Sequence, residues 1–269
     1  MSSPAPIVET ATKRSRIKKP VEILPVPEVC DLLIAKVQVY GQLVRAMTRL
    51  TNQTKANLRK LGISEPTEFT DKQSGSRKYK ILPPTPQQYD ALVAVNKGIT
   101  DAKSVLDTER SIIEKDIIRL TKMLPVWKWA EGIRGIGPTS LGCIIGMTGD
   151  LSKYANPAKV WKRLGLGLVD GQAQRRTTNV ELAMKFGYSP SRRAHMHVVG
   201  IGINMAAATK GENGSREYAT IYRLRKEYEL TKEVNGKPIT AGHADKRALR
   251  YMEKRFLCDL WNNWNGKTR

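Results

Sequence analysis

Leu92, Ile99, Leu106, Ile113 and Leu120 stand seven residues apart, an apolar series that only a helix gathers on one face. Val95, Ala102, Ile117 and Leu124 partly fill the neighbouring position of the same repeat. The pattern predicts a long helix from Thr85 to Leu124. A second series upstream, Leu33, Tyr40, Met47 and Leu61 with Leu43 and Leu50 beside it, predicts another from Pro27 to Leu61. Residues 62–86 between them read as a polar, Pro- and Gly-bearing connection. Residues 27–124 are thus expected to form an antiparallel helical hairpin or an intermolecular coiled coil. Glu109 and Asp116 interrupt the seam, so an isolated dimer would be weak and the segment reads as a spacer or assembly element. Residues 1–26, with Lys13, Arg14, Arg16, Lys18 and Lys19, read as a disordered basic arm.

The texture changes beyond Pro125. Trp127 and Trp129 precede Gly132-Ile133-Arg134-Gly135-Ile136-Gly137-Pro138-Thr139, which leads into the apolar run Leu141–Met147. This reads as a helix-hairpin-helix. Gly135 and Gly137 permit a tight turn and a close approach to a partner, and Pro138 suits the first helical position. The amides of the following helix then form a candidate phosphate site through Gly135, Gly137 and Thr139, with Arg134 beside them.

Charge names the partner class. Lys and Arg number 46 against 25 Asp and Glu, a formal charge of +21, which attracts polyanions. No apolar stretch approaches the roughly 20 residues needed to span a bilayer, and no signal peptide opens the chain. Nucleic acid is expected and a membrane is not. Cys30, Cys143 and Cys258 lie far apart in apolar contexts, so buried thiols in a reducing, intracellular compartment are expected, cytoplasmic or nucleoid-associated. They make no metal set with His195, His197 and His243, and neither a metal nor a cofactor is expected.

Between Lys153 and Arg193 nine Lys or Arg face only Asp170 and Glu181. Asn156-Pro157 opens a short helix carrying Lys159, Lys162 and Arg163, ended by Gly165 and Gly167. Arg175 and Arg176 follow a Gly-Gln loop. Ser189-Pro190-Ser191-Arg192-Arg193 opens a further helix through Ala208, with Arg192 and Arg193 at its exposed start. Two terminal helices follow, from about Arg216 to Thr231 and from His243 to Trp264. The last carries the apolar stripe Leu249, Met252, Phe256, Leu260 and Trp264 opposite Arg247, Arg250 and Lys254. No alternating strand pattern stands out. The expected fold is mainly α, with residues 125–269 a compact helical domain.

The order of these features resembles the C-terminal domain of one transposase family, the insertion-sequence transposases with an N-terminal RuvC-like DEDD nuclease domain, related to the pilin-gene invertases. The residues that carry the resemblance are Ile136-Gly137-Pro138, Gly149-Asp150, Leu164-Gly165-Leu166, Gly187 with its Ser- and Arg-rich turn, the Ala-rich helix, Tyr218 and the terminal helix from near Ala244. Together they span roughly residues 124–264. The resemblance implies a coiled-coil linker before this domain, DNA recombination chemistry and a guide RNA. It also implies a DEDD domain, for which about 26 residues precede the first helix. The family's serine nucleophile falls where this chain reads Leu166-Gly167-Leu168-Val169-Asp170-Gly171-Gln172, with Asp170 at the serine's place. Ser189 and Ser191 are the nearby hydroxyls, and they match the family's later turn instead.

The expected function is therefore transposase-like nucleic-acid binding, DNA before RNA, through Arg134, Gly135, Gly137, Thr139, Lys159, Lys162, Arg163, Arg175, Arg176, Arg192 and Arg193, without catalysis of its own. One alternative is a recombinase component acting with a nuclease partner chain. Another is an oligomeric packaging protein of a virus or mobile element, joined through residues 27–124. A DNA glycosylase is disfavoured, because no suitably placed Lys–Asp pair or iron–sulfur cysteine set follows the hairpin.

Overall fold

Two long helices, α1 (Val26–Lys60) and α2 (Pro86–Met123), lie against each other and carry the rest of the molecule at one end. The computed structural model describes residues 24–70, 77–234 and 236–267. The basic cluster Lys13–Lys19 lies outside the described residues.

Helix α2 starts where its sequence says it should. The Thr85 hydroxyl accepts the Gln88 backbone N–H, the Gln88 side-chain oxygen accepts the Thr85 N–H, and Pro86 fills the first turn. The Gln88 side chain also donates to the Leu61 carbonyl at 3.0 Å, fastening the end of α1 to the start of α2. Burial along the seam is graded. Leu33, Val37, Ile117 and Leu120 are buried near the body of the protein, whereas Leu92, Ile99 and Leu106 are only half-buried. Val95 is 54% exposed and Ala102 is also exposed, so the second apolar position faces solvent in its distal half. Asp116, a gap in the apolar repeat, is matched by Lys36 of α1 at 2.5 Å. Farther out, a buried hydrogen bond from Asn57 to Asn96 (2.9 Å) holds the helices in register.

The connection expected over residues 62–86 is a β-hairpin, β1 (Ser64–Thr70) with β2 (Arg77–Ile81). Tyr79, Lys80 and Ile81 are all exposed, so among the described side chains of β2 no buried face imposes an apolar alternation. Two further hairpins are minimal: β3 (Leu168–Val169) with β4 (Gln172–Ala173), and β5 (Glu233–Val234) with β6 (Lys237–Pro238). The fold is mainly α, as the periodicity requires.

The body contains α3 (Trp127–Ala130), α4 (Pro138–Thr148), α5 (Pro157–Arg163), α6 (Val180–Phe186), α7 (Pro190–Ala206), α8 (Ser215–Leu230) and α9 (Ala241–Trp264). Helix α4 is apolar around its whole circumference because α1, α2 and α7 all pack on it. The expected stripe of α9 is core: Met252, Phe256 and Leu260 are wholly buried, and Phe256 sits between Trp129 and Tyr218 with ring centroids 5.9 and 5.8 Å away. Indole N–H groups tie the loops to this helix. Trp261 donates to the Tyr154 carbonyl at 3.0 Å, and Trp264 donates to Asp150 Oδ1 at 3.0 Å.

Candidate functional site

The glycine turn, expected as a phosphate site, is engaged from within the chain. Its leading arm, α3, is a single turn of four residues, and Gly137 caps α4 without a side-chain partner. Gly135 has φ +88°, and a Cβ there would lie 2.2 Å from the Gly202 carbonyl oxygen of α7. The close approach that Gly135 permits is therefore made within the chain. Thr139 Oγ1 donates to Glu114 Oε1 at 3.4 Å, which puts a carboxylate at the start of α4, where a phosphate was expected. Arg134 is exposed, its guanidinium beside Gly211.

The other end of α4, about 16 Å away along an 11-residue helix, is different in character. There Gly146–Gly149 meet one face of α1, the end of α5 and the start of α7 around a cleft of about 390 Å³. Arg45, Arg163 and Arg192 line it together with Ser189 and Ser191, and no carboxylate does. Each element arrives by a local rule. Asn156 caps α5 by accepting the Lys159 amide, and Ser189 caps α7 with Pro190 in its first turn. Gly146 leaves room for α1, since a Cβ there would be 2.5 Å from Val37 Cγ2.

The arginines of the cleft are held by carbonyls. Arg163 Nε donates to the Met147 carbonyl at 3.0 Å, and an Arg192 terminal nitrogen donates to the Gly187 carbonyl at 3.2 Å. Arg192 Nε is buried with no partner. Burial first, and then the Arg163 charge, push the Arg192 guanidinium below its ordinary value. Two cations brought together without a carboxylate gain strongly from an anion between them. The Ser189 and Ser191 hydroxyls are 3.1 Å apart, and Ser189 has the further task of capping α7. His195 faces elsewhere: its Nε2 bonds the Ser140 carbonyl at 3.1 Å, and burial pushes its pKa down.

Arg163 is shared with a second, open depression of about 490 Å³ lined by Lys153, Tyr154, Lys159 and Lys162. The two depressions form one basic groove in which six cations meet without an acid in either lining. Sequence reasoning found Lys159, Lys162, Arg163 and Arg192. It missed Arg45, which follows Ile34, Gln38 and Gly41 on one face of α1, and Lys153 of the turn Leu151–Lys153.

The remaining expected residues lie apart. Arg193 does not stand at an exposed helix start. Its side chain is 13% exposed and turns inward, with Nη1 3.0 Å from Oε2 of the buried Glu253. Arg176 is exposed, and Arg175 shares a shallow depression with Arg250. Asp170, with φ +50°, and Gly171, with φ +74°, make the two-residue turn between β3 and β4. The exposed Asp170 carboxylate pairs with Lys185. Gln174 was not foreseen at all, yet it organises the loop: its amide oxygen accepts the Gly167 N–H at 2.8 Å, and its amide nitrogen donates to the Lys162 and Phe186 carbonyls.

Cys30 and Cys143 are buried, and desolvation pushes their thiols up to about 12 and about 11. Among the described residues no group of three His, Cys, Asp or Glu side chains is placed to hold a metal, and no helix is long and apolar enough to cross a membrane. In comparison with known proteins, no family model, curated protein or solved structure matches the chain.

Proposed function

We propose that the chain binds nucleic acid by seating the phosphate backbone in the groove between α1, α5 and the start of α7. One observation carries this: Arg45, Arg163 and Arg192 converge on a cleft that contains no carboxylate, and Arg192 Nε is buried there unpaired. Lys153, Lys159 and Lys162 extend the positive surface past Arg163, in the manner of contacts that give affinity without reading sequence. The chain-wide charge of +21 favours the same partner. The resemblance to a transposase C-terminal domain fits DNA and a guide RNA alike, and DNA is proposed first.

The groove takes over the role the sequence assigned to the glycine turn. Gly135 serves the packing of α4 on α7, and Glu114 opposes an anion at Thr139. Direct competition among duplex DNA, single strands, branched DNA and structured RNA at one salt concentration tests the proposal. Binding by none of them overturns it.

One observation favours a second reading, a recombinase component that works with a nuclease chain: Ser189 and Ser191 line the same arginine cleft. Against it, His195, a histidine of the same helix, is engaged by the Ser140 carbonyl, and a serine nucleophile needs a base within hydrogen-bond reach. A strand-exchange assay with magnesium, comparing wild type and Ser191→Ala, decides it by the presence or absence of covalent protein–DNA adducts.

A further inference from the structure

Helices α8 and α9 hide one shared face and leave the other open. On the hidden side Tyr218 packs on Phe256 and donates to Asp259 Oδ2 at 3.1 Å. On the open side Ile221, Leu224, Arg225, Tyr228, Tyr251 and Arg255 line a groove of about 480 Å³. Leu224, Tyr228 and Tyr251 are 62%, 52% and 48% exposed, so large apolar and aromatic surface faces water here. Arg225 lies between the two tyrosines, its guanidinium carbon 4.8 Å from the Tyr228 ring centroid and 4.6 Å from that of Tyr251.

The lining of this groove carries cations and no acid, and the exposed Glu217 near Arg255 stands outside it. Glu229 is buried and already surrounded by Arg225 at 2.5 Å, Arg247 at 2.8 Å and Lys232 at 3.6 Å. Asp259 is held by Arg255 at 3.1 Å. Neither carboxylate is free to repel an anion. Lys254, one turn beyond Tyr251, stands near Arg225 and Arg250, and its ammonium lies 5.4 Å from the Trp161 ring centroid. Aromatic rings, an apolar floor and a lining of cations without carboxylates together fit a flat aromatic ligand that carries negative charge.

We infer that this groove stacks the bases of unpaired nucleotides, so that the chain holds single-stranded nucleic acid on α8 and α9 as well as backbone phosphates in the arginine cleft. Nucleobases stack on tyrosine and on arginine planes whatever their identity, and phosphates of the same strand answer the surrounding cations. A duplex keeps its bases inside and gains nothing from the groove. The inference deepens the nucleic-acid reading and rests on it.

The test is fluorescence anisotropy with a single-stranded oligonucleotide and a hairpin-closed duplex of the same sequence at one salt concentration, using the full chain. Tyr228→Ala and Tyr251→Ala are expected to weaken single-strand binding about tenfold each while leaving duplex binding unchanged. Tyr251→Phe is expected to keep wild-type affinity, and an oligonucleotide with abasic sites is expected to bind wild type and Tyr251→Ala alike. Unchanged melting temperatures show that the variants fold. Tyrosine variants that bind the single strand as wild type does, or that lose duplex binding equally, overturn the inference while leaving the phosphate groove standing. Tyrosine variants that lose only self-association make the groove a protein-docking surface and overturn it too. A wild-type chain that binds neither probe brings down both readings.

Discussion

Gly135 and Gly202 meet backbone to backbone: a Cβ on Gly135 would fall 2.2 Å from the Gly202 oxygen, and one on Gly202 would fall 2.8 Å from the Gly135 oxygen. The glycine turn is therefore a packing joint between α4 and α7. Gly135→Ala is expected to cost about 3 kcal/mol or more, from the positive φ and the backbone clash together. Gly137→Ala, with φ −85° and open space around it, is expected to cost about 1 kcal/mol or less. Urea denaturation of both variants separates a joint from a ligand grip, since a grip would make both lose binding at unchanged stability.

Glu253 adds a pH signature. Its side chain is fully buried, and Arg193 Nη1, 3.0 Å away, is too poorly aligned for a hydrogen bond. Desolvation outweighs the nearby Arg193 and Arg250 charges and pushes the carboxyl up from 4.5 to about 7. The folded state then holds a proton that the unfolded chain has released, so this group's contribution falls as pH rises from about 4.5 to about 7 and is level above that. His195, with its pKa pushed down by burial, tilts the curve the other way, so the readout is the difference between wild type and Glu253→Gln. That difference is expected to shrink by on the order of 2 kcal/mol across the window. A pH-independent difference contradicts the burial argument.

Gln174 should matter more than its place in a loop suggests. Truncation to Ala strands the Gly167 N–H and the Phe186 carbonyl, at an expected cost of about 3 kcal/mol, while the Lys162 carbonyl keeps the Gly165 N–H. Because Lys162 belongs to the basic groove, nucleic-acid affinity is expected to fall with it. Hydrogen exchange at the Gly167 amide reports the loss directly.

Much of the scaffold was legible, and the reasons are local. Thr85-Pro86 with Gln88 fixes the start of α2, the sevenfold apolar series carries it to Met123, and Ser189-Pro190 marks the start of α7. Asp170-Gly171 carried a hairpin signal that the comparison with a serine obscured. The pairing of Ser64–Thr70 with Arg77–Ile81 was not legible, because the exposed Tyr79, Lys80 and Ile81 need no apolar alternation. The groove was only half legible. Lys159, Lys162, Arg163 and Arg192 announce themselves as a basic segment, but Arg45 joins them only because Gly146 lets α1 lie close against α4. Arg193 looked equivalent to Arg192, and only the position of Glu253 distinguishes them.

The arginine cleft makes a quantitative claim about single substitutions. Arg163→Ala and Arg192→Ala are each expected to weaken duplex and single-strand binding alike, by about tenfold at low salt. Arg176→Ala, outside the groove, is expected to do much less. Isothermal titration at fixed ionic strength checks the ranking, and equal losses at all three positions would point to diffuse charge attraction without a defined groove.

The most direct measurement is the salt dependence of binding, from low to physiological ionic strength, for wild type and the Arg163→Ala/Arg192→Ala double variant. Phosphates seated on the groove predict a steep linear fall of log affinity with log salt, with a slope about two units shallower in the double variant. A flat response in wild type, or the same slope in both proteins, would contradict the account.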